Sequence, residues 1–171
     1  MSATAPQAVV LMGVSGSGKS MIGRLVVERL GWTMAEGDEL HPPENVEKMR
    51  RGIPLTDADR WPWLDRIGDL LKAWADEGRS GLVTCSALKR AYRERLLKAR
   101  PDLRFVYLKG SEALIAGRVA ARHHEYMPAS LLKSQFATLE EPQPSEPVIV
   151  VDADATPEAE VEAIVEALKR A

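Results

Sequence analysis

Ala8-Val9-Val10-Leu11-Met12-Gly13-Val14-Ser15-Gly16-Ser17-Gly18-Lys19-Ser20 is the stretch on which the fold turns. Its first five residues are apolar without a break, as in a strand buried on both faces; a half-exposed strand would alternate. From Lys19 onward Ile22, Leu25, Val26 and Leu30 recur at helical spacing, and Gly31 stops the run. Between strand and helix stand glycine, four residues, glycine, lysine and serine, which is the Walker A spacing. The glycines let several backbone N–H groups turn toward one anion, and the following helix adds the positive end of its dipole. Gly13, Ser15, Gly16, Ser17, Gly18, Lys19 and Ser20 are therefore the candidate nucleotide contacts. Lys19 is suited to follow the β- and γ-phosphates of ATP as charge moves, and the Ser20 hydroxyl to coordinate a bridging Mg2+.

Outward from this stretch, strands and helices alternate to the end of the chain. A weaker strand is expected over 32–36, a short helix over 44–51, and an amphipathic helix over 61–77 whose apolar face is Leu64, Ile67, Leu70, Leu71 and Trp74. Strands follow over 81–85, 103–108 and 147–151, separated by helices over 88–99, 111–121 and 129–139. A last helix begins at Thr156, an N-cap followed by Pro157. Such alternation requires right-handed crossovers and a parallel sheet covered on both faces. The expected architecture is α/β, a P-loop NTPase three-layer α/β/α sandwich with a five-stranded parallel sheet. Residues 1–171 contain no repeat or linker and are read as a single domain.

Composition narrows the function. With 23 basic and 25 acidic residues the formal charge is −2, so no global positive field holds nucleic acid or an anionic membrane. No apolar run approaches the roughly 18 residues needed to span a bilayer, and residues 1–6 lack the basic start of a secretory leader. One cysteine, Cys85, excludes an internal disulfide framework and fits a reducing cytoplasm; it reads as a small apolar filler. The expectation is a cytoplasmic protein with no nucleic-acid or membrane partner.

A phosphate loop leaves kinase, switch and motor open, so the acceptor side decides. Glu36-Gly37-Asp38 follows the second strand at the sheet edge that carries the loop. Asp38 is suited to orient an acceptor hydroxyl and take its proton, and Glu36 to meet the metal through water. The alternative is a solvated acidic loop that caps the helix starting near Glu44.

Beyond the loop, the segments Asp38-Glu39-Leu40-His41-Pro42, Asp57-Ala58-Asp59-Arg60-Trp61-Pro62-Trp63-Leu64, Cys85-Ser86-Ala87-Leu88-Lys89 and Ser134-Gln135-Phe136, with Leu139-Glu140, resemble the gluconokinase family over nearly the whole chain. The resemblance implies an ATP-dependent kinase related in fold to shikimate kinase, one that makes 6-phosphogluconate from D-gluconate with magnesium and is commonly a homodimer. In that light Arg60 suits the substrate carboxylate, since a guanidinium presents a fork of donors; an ion pair with Asp57 or Asp59 is the alternative. His41 and Lys89 suit substrate hydroxyls or the moving phosphate, or else a loop-fixing bond and a helix-surface charge. The resemblance also places a mobile lid over residues 118–130. Arg118 and Arg122, four apart on one helix face, would be its closing arms, Arg118 on the nucleotide and Arg122 in catalysis beside Lys19 and Asp38. Many relatives carry Gly-His-Phe after the arginine, where this chain has His124-Glu125-Tyr126.

Rival classes fit less well. A shikimate kinase would carry a glycine-rich turn at Ser86-Ala87-Leu88-Lys89; a kinase of another small anionic metabolite stays the alternative, although His41-Pro42 and the segment Asp57 to Arg60 suit gluconokinases. A nucleoside monophosphate kinase shares the loop and lid, but not the acceptor segments. A guanine-reading switch would carry Asn-Lys-x-Asp, but the only asparagine, Asn45, precedes Val46. A regulator that binds nucleotide without catalysis would have no use for Asp38.

Overall fold

The computed structural model describes residues 5–121 and 129–170. The apolar run forms β1 (Ala8–Met12), buried at every residue, in the middle of a parallel sheet of order β2-β3-β1-β4-β5. Its companions are β2 (Thr33–Glu36), β3 (Gly81–Thr84), β4 (Arg104–Lys109) and β5 (Val148–Asp152). Val10 stands opposite Val83 on one side and Phe105 on the other. The connection from β3 to β4 crosses to the far side of β1, and this change of side opens a crevice at the carboxyl end of β1.

Alternate strand residues point to opposite faces and build two cores. Val10, Met12, Val83, Phe105 and Tyr107 pack with Leu64, Ile67 and Leu71 of α3 (Asp57–Asp76) and Leu96 of α4 (Arg90–Ala99). Val9, Leu11, Leu82, Val106 and Leu108 pack with Ile22 and Val26 of α1 (Lys19–Leu30) and Ile164 and Val165 of α7 (Pro157–Lys169). Both faces of the sheet are thus covered, as the unbroken apolar strands require. A third cluster of Val14, Leu88, Ile115 and Leu132 seats α5 (Glu112–Ala121) and α6 (Ala129–Thr138) against the loop that follows β1.

The helix expected over 61–77 begins four residues earlier. The Thr56 hydroxyl accepts from the Asp59 N–H at 3.2 Å, and the Asp59 carboxylate accepts from the Thr56 N–H at 2.9 Å, a reciprocal capping box. The apolar face places the start at Trp61, but the cap upstream decides it, and α3 carries Pro62 within it. Asp57, Asp59 and Arg60 consequently ride on a helix instead of a loop. The short helix before it, α2, spans Pro43–Arg50.

The turn after β3 is held from beneath by Arg93, which is 1% exposed. Its guanidinium donates to the Glu146 carboxylate at 2.7 and 3.2 Å, to the Ala87 carbonyl at 2.8 Å and to the Glu140 carbonyl at 3.0 Å. Ala87, at φ 46°, is a non-glycine residue in the left-handed region, a conformation this scaffold sustains. Among the described residues no helix is long and apolar enough to cross a membrane.

Candidate active site

The phosphate loop occupies the crevice. Gly13, Gly16 and Gly18 take φ values of 145°, 86° and 100°, and a Cβ on Gly16 would stand 2.6 Å from the Val119 side chain. The Lys19 ammonium donates to the Gly13 and Val14 carbonyls, both at 2.9 Å. Burial pulls its pKa below the ordinary value, against the opposing charge of Asp38 above all.

Beside the loop, the last residue of β2 meets the one hydroxyl of α1. Ser20 donates to Glu36 Oε2 at 3.0 Å, and Thr84, from the end of β3, donates to the same oxygen at 2.6 Å. The approach of β2 to β3 here excludes any side chain at Gly37, where a Cβ would lie 2.1 Å from the Thr84 carbonyl oxygen. The Gly37 carbonyl accepts from Trp63 Nε1 at 2.7 Å, which ties α3 to the turn of 3-10 helix Gly37–Leu40 that bears Asp38.

Asp38 lines a cavity of about 260 Å³ together with Ser15, Lys19, His41, Arg60 and Gln135. Five of the residues singled out in the sequence therefore meet around one space. His41 stacks on Trp63 with ring centroids 4.1 Å apart. Its Nδ1 lies 3.1 Å from the Asn45 amide nitrogen, which also donates to the Asp59 carbonyl at 2.8 Å. An amide nitrogen only donates, so Nδ1 accepts and the ring proton is assigned to Nε2. Burial pushes the His41 pKa down to about 4; Asp38 opposes and Arg60 assists.

Arg60 forms no ion pair with Asp57 or Asp59. It donates to the Tyr92 hydroxyl at 2.8 Å, with its guanidinium 5.3 Å from that ring, and Tyr92 in turn donates to Asp57. Asp59 is engaged by Lys48 at 2.8 Å. Lys89 does not line the cavity with the others: its ammonium is bound to the Asp57 carboxylate at 3.1 and 3.3 Å, at the N-terminus of α4. The hydrogen bond from Tyr92 and then Lys89 hold the Asp57 carboxyl below its ordinary pKa.

A second cavity, about 340 Å³, adjoins the other side of the loop and is lined by Ser17, Gly18, Arg118 and Glu160 among others. Arg118 donates to the Ala153 carbonyl there. Among the described residues, Ser17 Oγ and Glu160 Oε1 are the buried side-chain atoms without a hydrogen-bond partner, and both residues border this space. Burial pushes the Glu160 carboxyl up to about 7. Arg122 and the segment His124-Glu125-Tyr126 lie outside the described residues.

Several residues of the site receive no role of their own from the sequence. Thr84 reads as an ordinary strand residue, and Trp63 as core. Gln135 of α6 pairs with Ser15 across 120 residues, accepting from its N–H at 2.7 Å and donating to its hydroxyl at 2.9 Å.

The family described as an AAA domain matches residues 9–142. A gluconokinase of Gluconobacter oxydans is 48% identical over 160 residues, covering 94% of this chain and 90% of the relative. The crystal structure of a gluconokinase from Sinorhizobium meliloti superposes with a TM-score of 0.89 at 45% identity, covering 98% of this chain and 94% of that one. The shikimate kinase of Aquifex aeolicus, at 17% identity and a TM-score of 0.53 over 95% of this chain and 96% of its own, shares the fold alone. Identity at this level, over nearly full lengths and with one parallel architecture, shows that the chain belongs to the gluconokinase family.

Proposed function

We propose that this chain transfers the γ-phosphoryl group of ATP to D-gluconate, giving 6-phospho-D-gluconate and ADP. The observation that carries the reading is the convergence of Lys19, Asp38, His41 and Arg60 on one cavity beside the phosphate loop, in a chain of this family. Asp38 takes the proton of the acceptor hydroxyl as its oxygen bonds to the γ-phosphorus. The bond from that phosphorus to the β–γ bridging oxygen breaks, and Lys19 follows the charge onto ADP. Arg60 clamps the gluconate carboxylate with N–H groups that Tyr92 does not engage, and the His41 Nε2–H donates to a substrate hydroxyl. Lys89 contributes through Asp57, at the margin of the cavity.

The donor set between Ser20 and Glu36 suits Mg2+, a hard cation that takes few protein oxygens and keeps phosphate and water ligands. The Ser20 hydroxyl and the Glu36 carboxylate would hold it, and bound there it would neutralise charge on the β- and γ-phosphates. Thr84 fixes the carboxylate for this task. Arg118 and Arg122 serve as arms of a lid over residues 118–130 of one kinase domain, and a cytoplasmic homodimer completes the reading, on the strength of the family likeness.

Purified protein with ATP and magnesium, offered D-gluconate, shikimate, nucleoside monophosphates and related sugar acids in a coupled ADP-release assay, tests the proposal. Turnover with gluconate well above the other acceptors supports it. Turnover confined to another acceptor keeps the kinase and rejects the substrate, and no acceptor-dependent turnover rejects both.

A further inference from the structure

Backbone N–H groups of a phosphate loop are donors aimed at an anion, yet the Ser15 N–H donates to the neutral side-chain oxygen of Gln135 at 2.7 Å. The contact is two-pronged, because Gln135 Nε2 also donates to the Ser15 hydroxyl at 2.9 Å. Gln135 belongs to α6, and its neighbours Leu131, Ser134 and Thr138 line the acceptor cavity with Asp38 and Arg60. α6 is also seated through Leu132 on Val14, Leu88 and Ile115, an apolar contact, and just past its C-terminal end the chain is anchored where the Glu140 N–H donates to the Leu88 carbonyl at 2.8 Å, which leaves that end as the pivot. The clasp is thus a polar link between the loop that takes phosphates and a wall of the space that takes the acceptor. A phosphate oxygen is the stronger acceptor, since hydrogen bonds to charged groups are about twice as strong as neutral ones.

We propose that Gln135 is a positioning residue whose amide competes with nucleotide phosphate for the Ser15 N–H, so that ATP binding releases α6 to close on the acceptor. The two substrates then bind with positive coupling, although Gln135 performs no chemistry itself. The proposal rests on the kinase reading for its acceptor half only. Its nucleotide half depends on the loop alone.

Two substitutions move nucleotide affinity in opposite directions. Gln135→Ala removes the competitor, and a non-hydrolysable ATP analogue with magnesium binds about two- to tenfold tighter, the range of one net neutral hydrogen bond. Gln135→Glu supplies a charged competitor that also repels phosphate, and the analogue binds at least tenfold weaker. A merely structural clasp gives the other sign for alanine, because a loosened loop binds nucleotide less well. The coupling is read from gluconate affinity with and without the analogue. Wild type shows a gain of about fivefold or more, the lower range of measured couplings, and Gln135→Ala brings that ratio toward one. Calorimetric titration of the three proteins, with matched melting curves as a folding control, measures both. Weaker nucleotide binding by a folded Gln135→Ala protein overturns the proposal, as does a coupling ratio equal to wild type. If wild type binds no gluconate, the acceptor assignment fails, and the nucleotide titrations still decide the clasp.

Discussion

His41 shows at the scale of one residue how the site fixes a protonation state. It is held between the Trp63 ring and the Asn45 amide, and only 7% of it is exposed. Its pKa of about 4 in the fold lies below the 6.5 of the free side chain, so the unfolded chain binds more protons between those values. Stability from this group is complete above about pH 6.5 and is lost as pH falls through about 4. Melting temperatures from pH 7 to 4 should therefore show the wild-type protein losing ground to His41→Gln on the acid side. A constant difference across that range would mean that the ring is not buried neutral. Asp38 and Glu36 were legible as candidate site residues because a carboxylate just past a parallel strand stands at the sheet edge where ligands commonly bind. Trp63 and Thr84 were not, because their work consists of bonds to residues far away in sequence. Nothing local distinguishes a tryptophan that packs from one that also holds the Gly37 carbonyl.

Among the elements, α3 carries the largest difference between expectation and structure. Apolar periodicity locates its middle well, but periodicity is blind to caps, and the Thr56–Asp59 box sets the beginning. This start matters for the site, since it orients Arg60 toward Tyr92 and gives Asn45 the Asp59 carbonyl to bind. Loss of such a cap costs about 1 kcal/mol. Thr56→Ala should lower the urea midpoint by the corresponding amount and raise the KM for gluconate more than it changes kcat, because the first turn of α3 frays. An unchanged KM would separate the cap from the acceptor cavity. The backbone of the P-loop, in contrast, was legible as a glycine-rich turn between strand and helix, since Gly13, Gly16 and Gly18 stand close together in sequence and take positive φ.

Across the whole molecule, strand alternation specifies a parallel sheet, whereas the order β2-β3-β1-β4-β5 depends on which crossover packs where, and no single segment encodes that. The Arg93–Glu146 pair belongs to this scale. It joins the turn after β3 to the segment before β5, with side chains 1% and 5% exposed. Removing one partner of a buried pair leaves an uncompensated charge, at a cost of about 3–5 kcal/mol. Glu146→Leu should accordingly reduce the unfolding free energy by an amount in that range, measured by denaturant titration. A loss below about 1 kcal/mol would show that water reaches the guanidinium and that the turn bearing Ser86 and Ala87 is held by other means.

The central claim, that phosphoryl transfer to gluconate runs through the cavity bordered by Asp38, is tested most directly by Asp38→Asn. Gluconate-dependent ADP release and nucleotide affinity would be measured side by side on the variant and the wild type. The account predicts nucleotide binding within a few-fold of wild type and a fall in kcat of about 10²–10⁴-fold, the usual contribution of a general base. Turnover close to wild type, with gluconate as acceptor, would contradict it.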